Sequence, residues 1–408
     1  MESERIAGLI LDIGVAMIRS GAETHRVEDS LYRLCKGYGF SHCNIWVVPT
    51  NIQATITAPD GSVVTQIRHV RDITVDFTKL DRLNSLCRAV CANPLEANEL
   101  ETRFKEADAQ QKEPLWRVAL AAGIGAMGYG VFFRCDLSDT LLALLAALLI
   151  VLLSRLLSRS ERNPLALNFI ISFITEVFII SFVRLGLGHH ADYVTLGVVM
   201  LLISALGTTN GVRDLVHLDT LSGTMNITLS MTGAIGIALG IALAITLLPG
   251  WSNGAANGVN SNVWIQLASC TIGCVGFALW FCVRISHVAA CALGGFITWG
   301  AYIIASLRLS GAFAPAVVAA IACGAFSQIA ARAHKAPATI FMTVSIFPLI
   351  PGAALYSMMV AIVLGNSALA AQKGAELALT CFAIVLGFMV VEVLSRYIWN
   401  TKSIAAQK

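Results

Sequence analysis

The sequence predicts an α-helical polytopic membrane protein with ten transmembrane helices arranged as two five-helix inverted repeats, preceded by a small α+β cytosolic domain. Three observations predict it. Of 408 residues, 56% are hydrophobic and 13% charged, with mean hydropathy +0.73, whereas soluble domains carry about a quarter charged residues. The charges are uneven, with 29 of the 53 Lys, Arg, Asp and Glu residues in the first 113 positions. Beyond Glu113, apolar windows recur at lengths near the ~20 residues that cross a bilayer core.

The N-terminal part, residues 1–113, reads as the soluble domain. Its first apolar run, Ile6 to Ile18, is interrupted by Asp12 and flanked by Arg5 and Arg19 with no small-residue cleavage site. It is therefore expected to be a helix rather than a secretory signal, and the domain to stay in the cytosol. In "SGAETHRVED", residues 20 to 29, Ser20 and Glu23 stand at capping-box spacing, which predicts a helix starting at Ser20. Val27, Leu31, Leu34 and Tyr38 line one face of that helix, and Gly37 or Gly39 offers a stop. His25 and Asp29, four apart, have the spacing to ligate a metal or shuttle a proton, but a solvated face with local ion pairs is the stronger reading.

The β-branched runs "CNIWVVPT", "IQATITA" and "SVVTQIRHV" are separated by Pro49-Thr50-Asn51 and Pro59-Asp60-Gly61, which predicts a small antiparallel sheet. A helix carrying Phe77, Leu80, Leu83 and Leu86 and a charged helix beginning at Pro94 complete the domain. No phosphate-cradling Gly-rich loop, GxSxG elbow or coherent Cys and His pair is present. No catalytic residue, metal, cofactor or nucleic acid is therefore expected. The eleven cysteines, without a CxxC or zinc spacing, read as reduced apolar residues.

Spans are placed at about 116–133, 139–157, 165–185, 192–208, 226–248, 263–283, 286–307, 311–331, 337–365 and 376–396. With a cytosolic N-terminus, the inner connections carry eleven Lys and Arg and the outer ones four, as the positive-inside rule requires. The uncharged stretch at 250–262 divides the spans into halves, 114–249 and 263–408. Five is odd, so halves descended from one unit must enter the membrane from opposite faces.

Span 4 runs into Gly207-Thr208-Thr209-Asn210-Gly211, and span 9 is interrupted by Pro348, Pro351 and Gly352. Breaks at matching positions mark a transporter's binding site, because freed backbone groups at membrane depth need protein, water or solute as partners. Thr208, Thr209, Asn210, Pro351, Gly352 and Tyr356 are the expected substrate-binding residues. Arg213 and Asp214, just beyond the first break, are candidates for a gate or a helix-end anchor. Glu176 lies near the centre of span 3, where facing lipid costs on the order of 3 kcal/mol. With Asn168, Ser172 and Thr175 it forms a polar stripe, expected to wall a hydrated cavity, and it is the candidate proton-coupling residue. Glu392 is expected to pair with Arg396, four residues on.

"GLILDIGVAMIRSGAETHRVEDSLYRLCKGYGF" resembles the opening of the threonine/serine exporter family, with Ser20, Gly21, Ala22, Arg26, Val27 and Glu28 matching its S-G-A and R-V-E elements. The likeness continues through "VVPTNIQATI", "TNGVRDLVHLDTLSG" and "IPGAALYSMM". One departure is Leu206-Gly207, where the family pattern has Pro-Gly. The resemblance implies a cytosolic domain, ten spans and efflux linked to the proton motive force. The function expected is secondary export of small polar metabolites, threonine and serine first, from a bacterial inner membrane with both termini cytosolic. Alternatives are a dicarboxylate exporter, or a membrane-bound hydrolase or sensor using the N-terminal domain. Arg26 and Glu28 are candidates for an inter-domain contact. Partners are the small-molecule substrate, protons and the lipid bilayer; a homo-oligomer is compatible with the sequence.

Overall fold

The computed structural model describes residues 2–71, 73–109, 113–158, 161, 163–249 and 258–406. The N-terminal layer runs α1 (Glu2–Arg19), α2 (Thr24–Gly37), β1 (Ser41–Val48), β2 (Asn51–Thr57), β3 (Val63–His69), α3 (Phe77–Ala92) and α4 (Ala97–Asp108). The sheet is antiparallel in the order β1-β2-β3, with Val48 opposite Asn51 and Thr57 opposite Val63. Strict alternation on β2 buries Ile52, Ala54 and Ile56 while their neighbours stay half-buried, so one sheet face joins a core with Ile13, Met17 and Leu31. Val27, Leu31 and Leu34 of α2, and Phe77, Leu80, Leu83 and Leu86 of α3, are all buried, as their spacing predicts.

The capping box does not form. Helix α1 continues to Arg19, and the Ser20 hydroxyl donates back to the Ala16 carbonyl at 2.7 Å. Gly21 then takes a φ of +99°, and α2 begins only at Thr24, with Glu23 at the N-cap position making no side-chain cap bond. The turn between the helices needs a left-handed residue, so Ser-Gly ends the first helix instead of starting the second. Glu23 is freed for a partner elsewhere.

The helical bundle follows as α5 (Leu115–Phe132), α6 (Leu137–Leu157), α7 (Pro164–Arg184), α8 (Ala191–Val199), α9 (Ala205–Val216) and α10 (Thr220–Leu247). After the linker, of which residues 250–257 lie outside the described residues, come α11 (Val263–Trp280), α12 (Ile285–Ser306), α13 (Phe313–His334), α14 (Ala338–Ser345), α15 (Gly352–Val363) and α16 (Ser367–Ala406). Among the described residues eight helices are long and apolar enough to cross a membrane. A ninth span arises if α14 and α15, bent by 40° at their junction, count as one. The protein is a multi-pass membrane protein.

Both halves have the same order: three long helices, an interrupted pair, one long helix. The third helix packs on the last in each (α7 on α10, α13 on α16), and the second member of each interrupted pair also lies against that last helix (α9 on α10, α15 on α16). The halves meet along α5 and α11. A Cβ on Gly128 would stand 2.5 Å from the Gly273 nitrogen, and one on Gly276 would stand 2.2 Å from that of Gly125. Later α5 residues meet earlier α11 residues, so the two helices run antiparallel, with backbones close enough that only glycine fits.

The first interruption is displaced from its expected place. The chain breaks at 200–204, and the Ser204 side chain caps the restarted helix by accepting from the Gly207 nitrogen at 3.4 Å. Gly207 and Gly211 therefore lie inside α9. A Cβ at Gly207 would meet Ser230 Oγ at 2.3 Å, and one at Gly211 would meet Ile227 at 2.8 Å, so these glycines admit α10 rather than break the helix.

The N-terminal layer docks on the bundle end that carries the α9–α10 and α11–α12 turns. The backbone N–H groups of Phe77 and Thr78 donate to the carbonyls of Phe281 (3.1 Å) and Cys282 (2.9 Å), and the Thr24 hydroxyl donates to Asp219 at 3.1 Å.

Candidate functional site

The two interruptions face each other. A Cβ on Gly352, the first residue of α15, would lie 3.0 Å from Met200 Sδ and 3.1 Å from Ile203 Cδ1, both in the first break. The second break consists of a 3₁₀ turn at Phe347–Leu349, an extended Ile350, and Pro351, which has no N–H to donate. Just before it, the hydroxyls of Thr343 and Ser345 are buried without hydrogen-bond partners among the described residues. Buried polar groups are normally paired, so this interior holds unused capacity for hydrogen bonds. The Tyr356 hydroxyl donates to Asp192 Oδ1 at 2.5 Å, tying α15 to α8.

The expected substrate-binding residues thus fall into two groups. Gly352 and Tyr356 face the first break and α8, and Pro351 immediately precedes Gly352 in the second break. Thr208, Thr209 and Asn210 lie further along, inside α9. Thr208 donates to its own helix at the Ser204 carbonyl (3.1 Å), Thr209 is buried, and the Asn210 amide donates 3.2 Å to the Gly21 carbonyl of the N-terminal layer.

Glu176 is buried in α7, where the Thr195 hydroxyl of α8 lies 2.7 Å from its Oε2 and 2.9 Å from the Ala191 carbonyl. The polar stripe preceding it does not wall a hydrated cavity at every position. Asn168 and Ser172 bond the α10 carbonyls of Gly233 and Ile237, each at 3.2 Å. Polar side chains spaced by four meet a neighbouring helix's carbonyls at the same spacing, and hydrogen bonds between helices are the apolar interior's use for them.

At the docked end a buried polar junction closes the bundle. Arg213 of α9 is paired with Glu23, and the Thr339 hydroxyl of α14 donates to the same carboxylate. Arg213 also approaches Thr339 Oγ1 at 3.4 Å and Glu392 of α16 at 3.8 Å. His217 reaches Glu392 at 3.2 Å and stacks on His25 with ring centroids 4.1 Å apart. Glu392 therefore meets α9, whereas the Arg396 side chain lies outside the described residues. Asp214 is fully buried and accepts from the Asn226 amide at 3.1 Å.

Of the two residues expected to link the domains, Arg26 donates to Asn84 within the N-terminal layer at 3.0 Å. Glu28 is half-buried, and burial, then the nearby Asp219 carboxylate, pushes its carboxyl above the usual range. Glu23 and Thr24 make the cross-layer bonds instead. Glu23 was hidden by its capping-box spacing, and Thr339 by an apolar span in which one hydroxyl carries no signal.

A polytopic helical membrane protein with two interrupted helices meeting in its interior is the architecture of a transporter. A family model described as threonine/serine exporter matches residues 8–248, and a second threonine/serine exporter model matches residues 266–394. The chain belongs to the threonine/serine exporter family and is a membrane exporter of small polar metabolites. Comparison with curated proteins and with solved structures finds no match.

Proposed function

We propose that this protein is a secondary active exporter of threonine and serine, driven by the proton motive force across a bacterial inner membrane, with both termini cytosolic. In this reading α8 and α9 together form span 4 and α14 and α15 span 9, for ten spans in two inverted five-helix repeats. The repeated element order and the antiparallel α5–α11 contact support it, because the first helices of inverted repeats meet head to tail. Residues 1–113 form the cytosolic domain, 114–249 and 263–408 the repeats, and 250–262 an external linker.

The observation that carries this reading is the apposition of the two breaks at Gly352, Met200 and Ile203. Substrate binds there, between Pro351, Gly352 and Tyr356 on one side and the α9 residues Thr208, Thr209 and Asn210 on the other. Hydroxyls, an amide and freed backbone groups suit the two charged ends of an amino acid without a strong fixed charge. Arg213 and Glu23 form the cytosolic gate, with Asp214 fixing the base of α10 through Asn226. Arg26 and Glu28 orient the N-terminal layer beside it.

Glu176 carries the coupling proton. The Thr195 hydroxyl has one hydrogen and two acceptors in reach. Both contacts are satisfied together only when the carboxyl donates to Thr195 and Thr195 donates to Ala191. Once that proton is released, the single Thr195 hydrogen serves either the Glu176 carboxylate or the Ala191 carbonyl of its own helix, so one of the two bonds is lost and the charge of Glu176 bears on α8, the helix that borders the first break.

Counterflow in proteoliposomes tests the transport reading. Purified protein preloaded with unlabelled threonine is expected to accumulate labelled threonine and serine above protein-free vesicles. Absence of counterflow for either, with a dicarboxylate transported instead, would reassign the substrate, and absence for every solute would remove the exporter reading.

A further inference from the structure

A cavity of about 440 Å³ lies between the N-terminal layer and the bundle, bounded by α2, α3 and the end of α9. Four guanidinium groups, those of Arg26, Arg33, Arg88 and Arg213, border it against two carboxylates, those of Glu23 and Asp29. Both acids are engaged. Asp29 pairs with Arg33 at 2.9 Å, and Glu23 is taken by Arg213 and Thr339. The balance is a positive excess centred on Arg26 and Arg88.

Three donors belonging to residues that line this cavity have no acceptor among the described residues. Arg26 Nε, Asn84 Nδ2 and Arg213 Nε are buried without a hydrogen-bond partner among the described residues, and Asn84 and Arg213 are only 5% and 8% exposed. Asn84 is not free to turn its amide over, because its Oδ1 already accepts from Arg26 Nη2 at 3.0 Å. Unpaired buried N–H groups are costly, and repulsion among neighbouring guanidiniums adds to the cost. An oxyanion that accepts all three relieves both.

We propose that the cavity is a binding site for a small carboxylate anion, whose carboxylate is received by Arg26 Nε, Asn84 Nδ2 and Arg213 Nε. Two oxygens with about four lone-pair directions match three donors with little left over. A dianion is favoured over a zwitterion, because Arg88 awaits a second negative group whereas an ammonium group would find Asp29 already held by Arg33. The site itself stands apart from the exporter reading. Only the origin of the anion rests on it, as cargo approaching the gate or as an effector that is not transported.

The test uses the full chain in lipid nanodiscs, with malonate, acetate, L-threonine and inorganic phosphate as probes at constant ionic strength. Malonate is expected to raise the thermal midpoint saturably, acetate to do so more weakly, and threonine least. Arg88→Gln changes an exposed side chain and is expected to weaken the malonate response at least tenfold in concentration. Asn84→Leu is expected to abolish it. No saturable malonate response, or an unchanged response in both variants, would overturn the site; a response to phosphate stronger than to malonate would overturn its carboxylate assignment. Counterflow by Arg88→Gln names the source. A KM for cargo that rises with the loss of binding marks the anion as cargo, and an unchanged KM with loss of malonate's effect on rate marks an effector. Malonate binding without transport of any solute would leave the site standing and remove the exporter reading.

Discussion

Arg213→Ala is the most informative single perturbation of the docked end. It removes a guanidinium that is 8% exposed and leaves Glu23, 3% exposed, facing the Thr339 hydroxyl as its remaining described partner. Truncating one member of a buried ion pair costs about 3–5 kcal/mol, because the other charge stays desolvated without compensation. If the cooperative unit is 150–250 residues, each kcal/mol lowers Tm by about 2–4 °C, so the expected fall is about 6–20 °C. Thermal unfolding in detergent reads the loss, and protease sensitivity of the N-terminal layer shows whether undocking accompanies it. Glu23→Leu combined with Arg213→Met removes both charges and is expected to recover most of the stability, since well-packed apolar replacements for a buried pair are often neutral. A fall below about 2 °C for Arg213→Ala, less than the equivalent of 1 kcal/mol, would mean that water screens the pair and that it is no gate.

Three further outcomes follow from particular contacts. Gly276→Ala places a methyl 2.2 Å from the Gly125 backbone, which cannot yield as a side chain would, so it should cost about 1–3 kcal/mol or more and lower transport, read by Tm and counterflow together. Ser20→Ala should change stability by less than about 0.5 kcal/mol, because the Ala16 carbonyl keeps its bond from the Ser20 nitrogen, whereas Gly21→Ala should cost about 1–2 kcal/mol for its left-handed conformation. A loss of about 1 kcal/mol or more on Ser20→Ala would restore the capping role. Glu28, whose carboxyl is raised by burial and by Asp219, favours the folded state when neutral and weakens it as pH rises through its folded value. Glu28→Gln should therefore be more stable than the parent at pH 7 and equal to it below the unfolded carboxyl value of about 4.3, as pH-dependent melting would show.

The long helices were legible because hydropathy over twenty residues outweighs any single side chain. The expected 165–185 and 263–283 became Pro164–Arg184 and Val263–Trp280. The three strands were legible from β-branched alternation and two turn signals. Glycine was ambiguous, since the same residue that lets a helix stop also lets two helices touch. At Gly207 and Gly211 the second use won, and the real break, at 200–204, fell seven residues earlier, ending at Ser204. The junction was illegible for a different reason. Glu23 and Arg213 are 190 residues apart, and only the folded chain shows that an acid at capping spacing serves a base beyond a helix break. That Glu176 faces the protein interior was legible because an acidic residue in an apolar span has few physical explanations, although its partner Thr195 was not.

The central claim, proton-coupled export through a site between the two breaks, is tested most directly by threonine flux in proteoliposomes under an imposed pH gradient. The protein with its native Glu176 is expected to accumulate threonine against its concentration gradient when the pH gradient is present and to stop when it is collapsed. Glu176→Gln is expected to retain threonine exchange while losing all gradient-driven accumulation. Full accumulation by Glu176→Gln, or threonine flux through the native protein that ignores the pH gradient, would contradict the account.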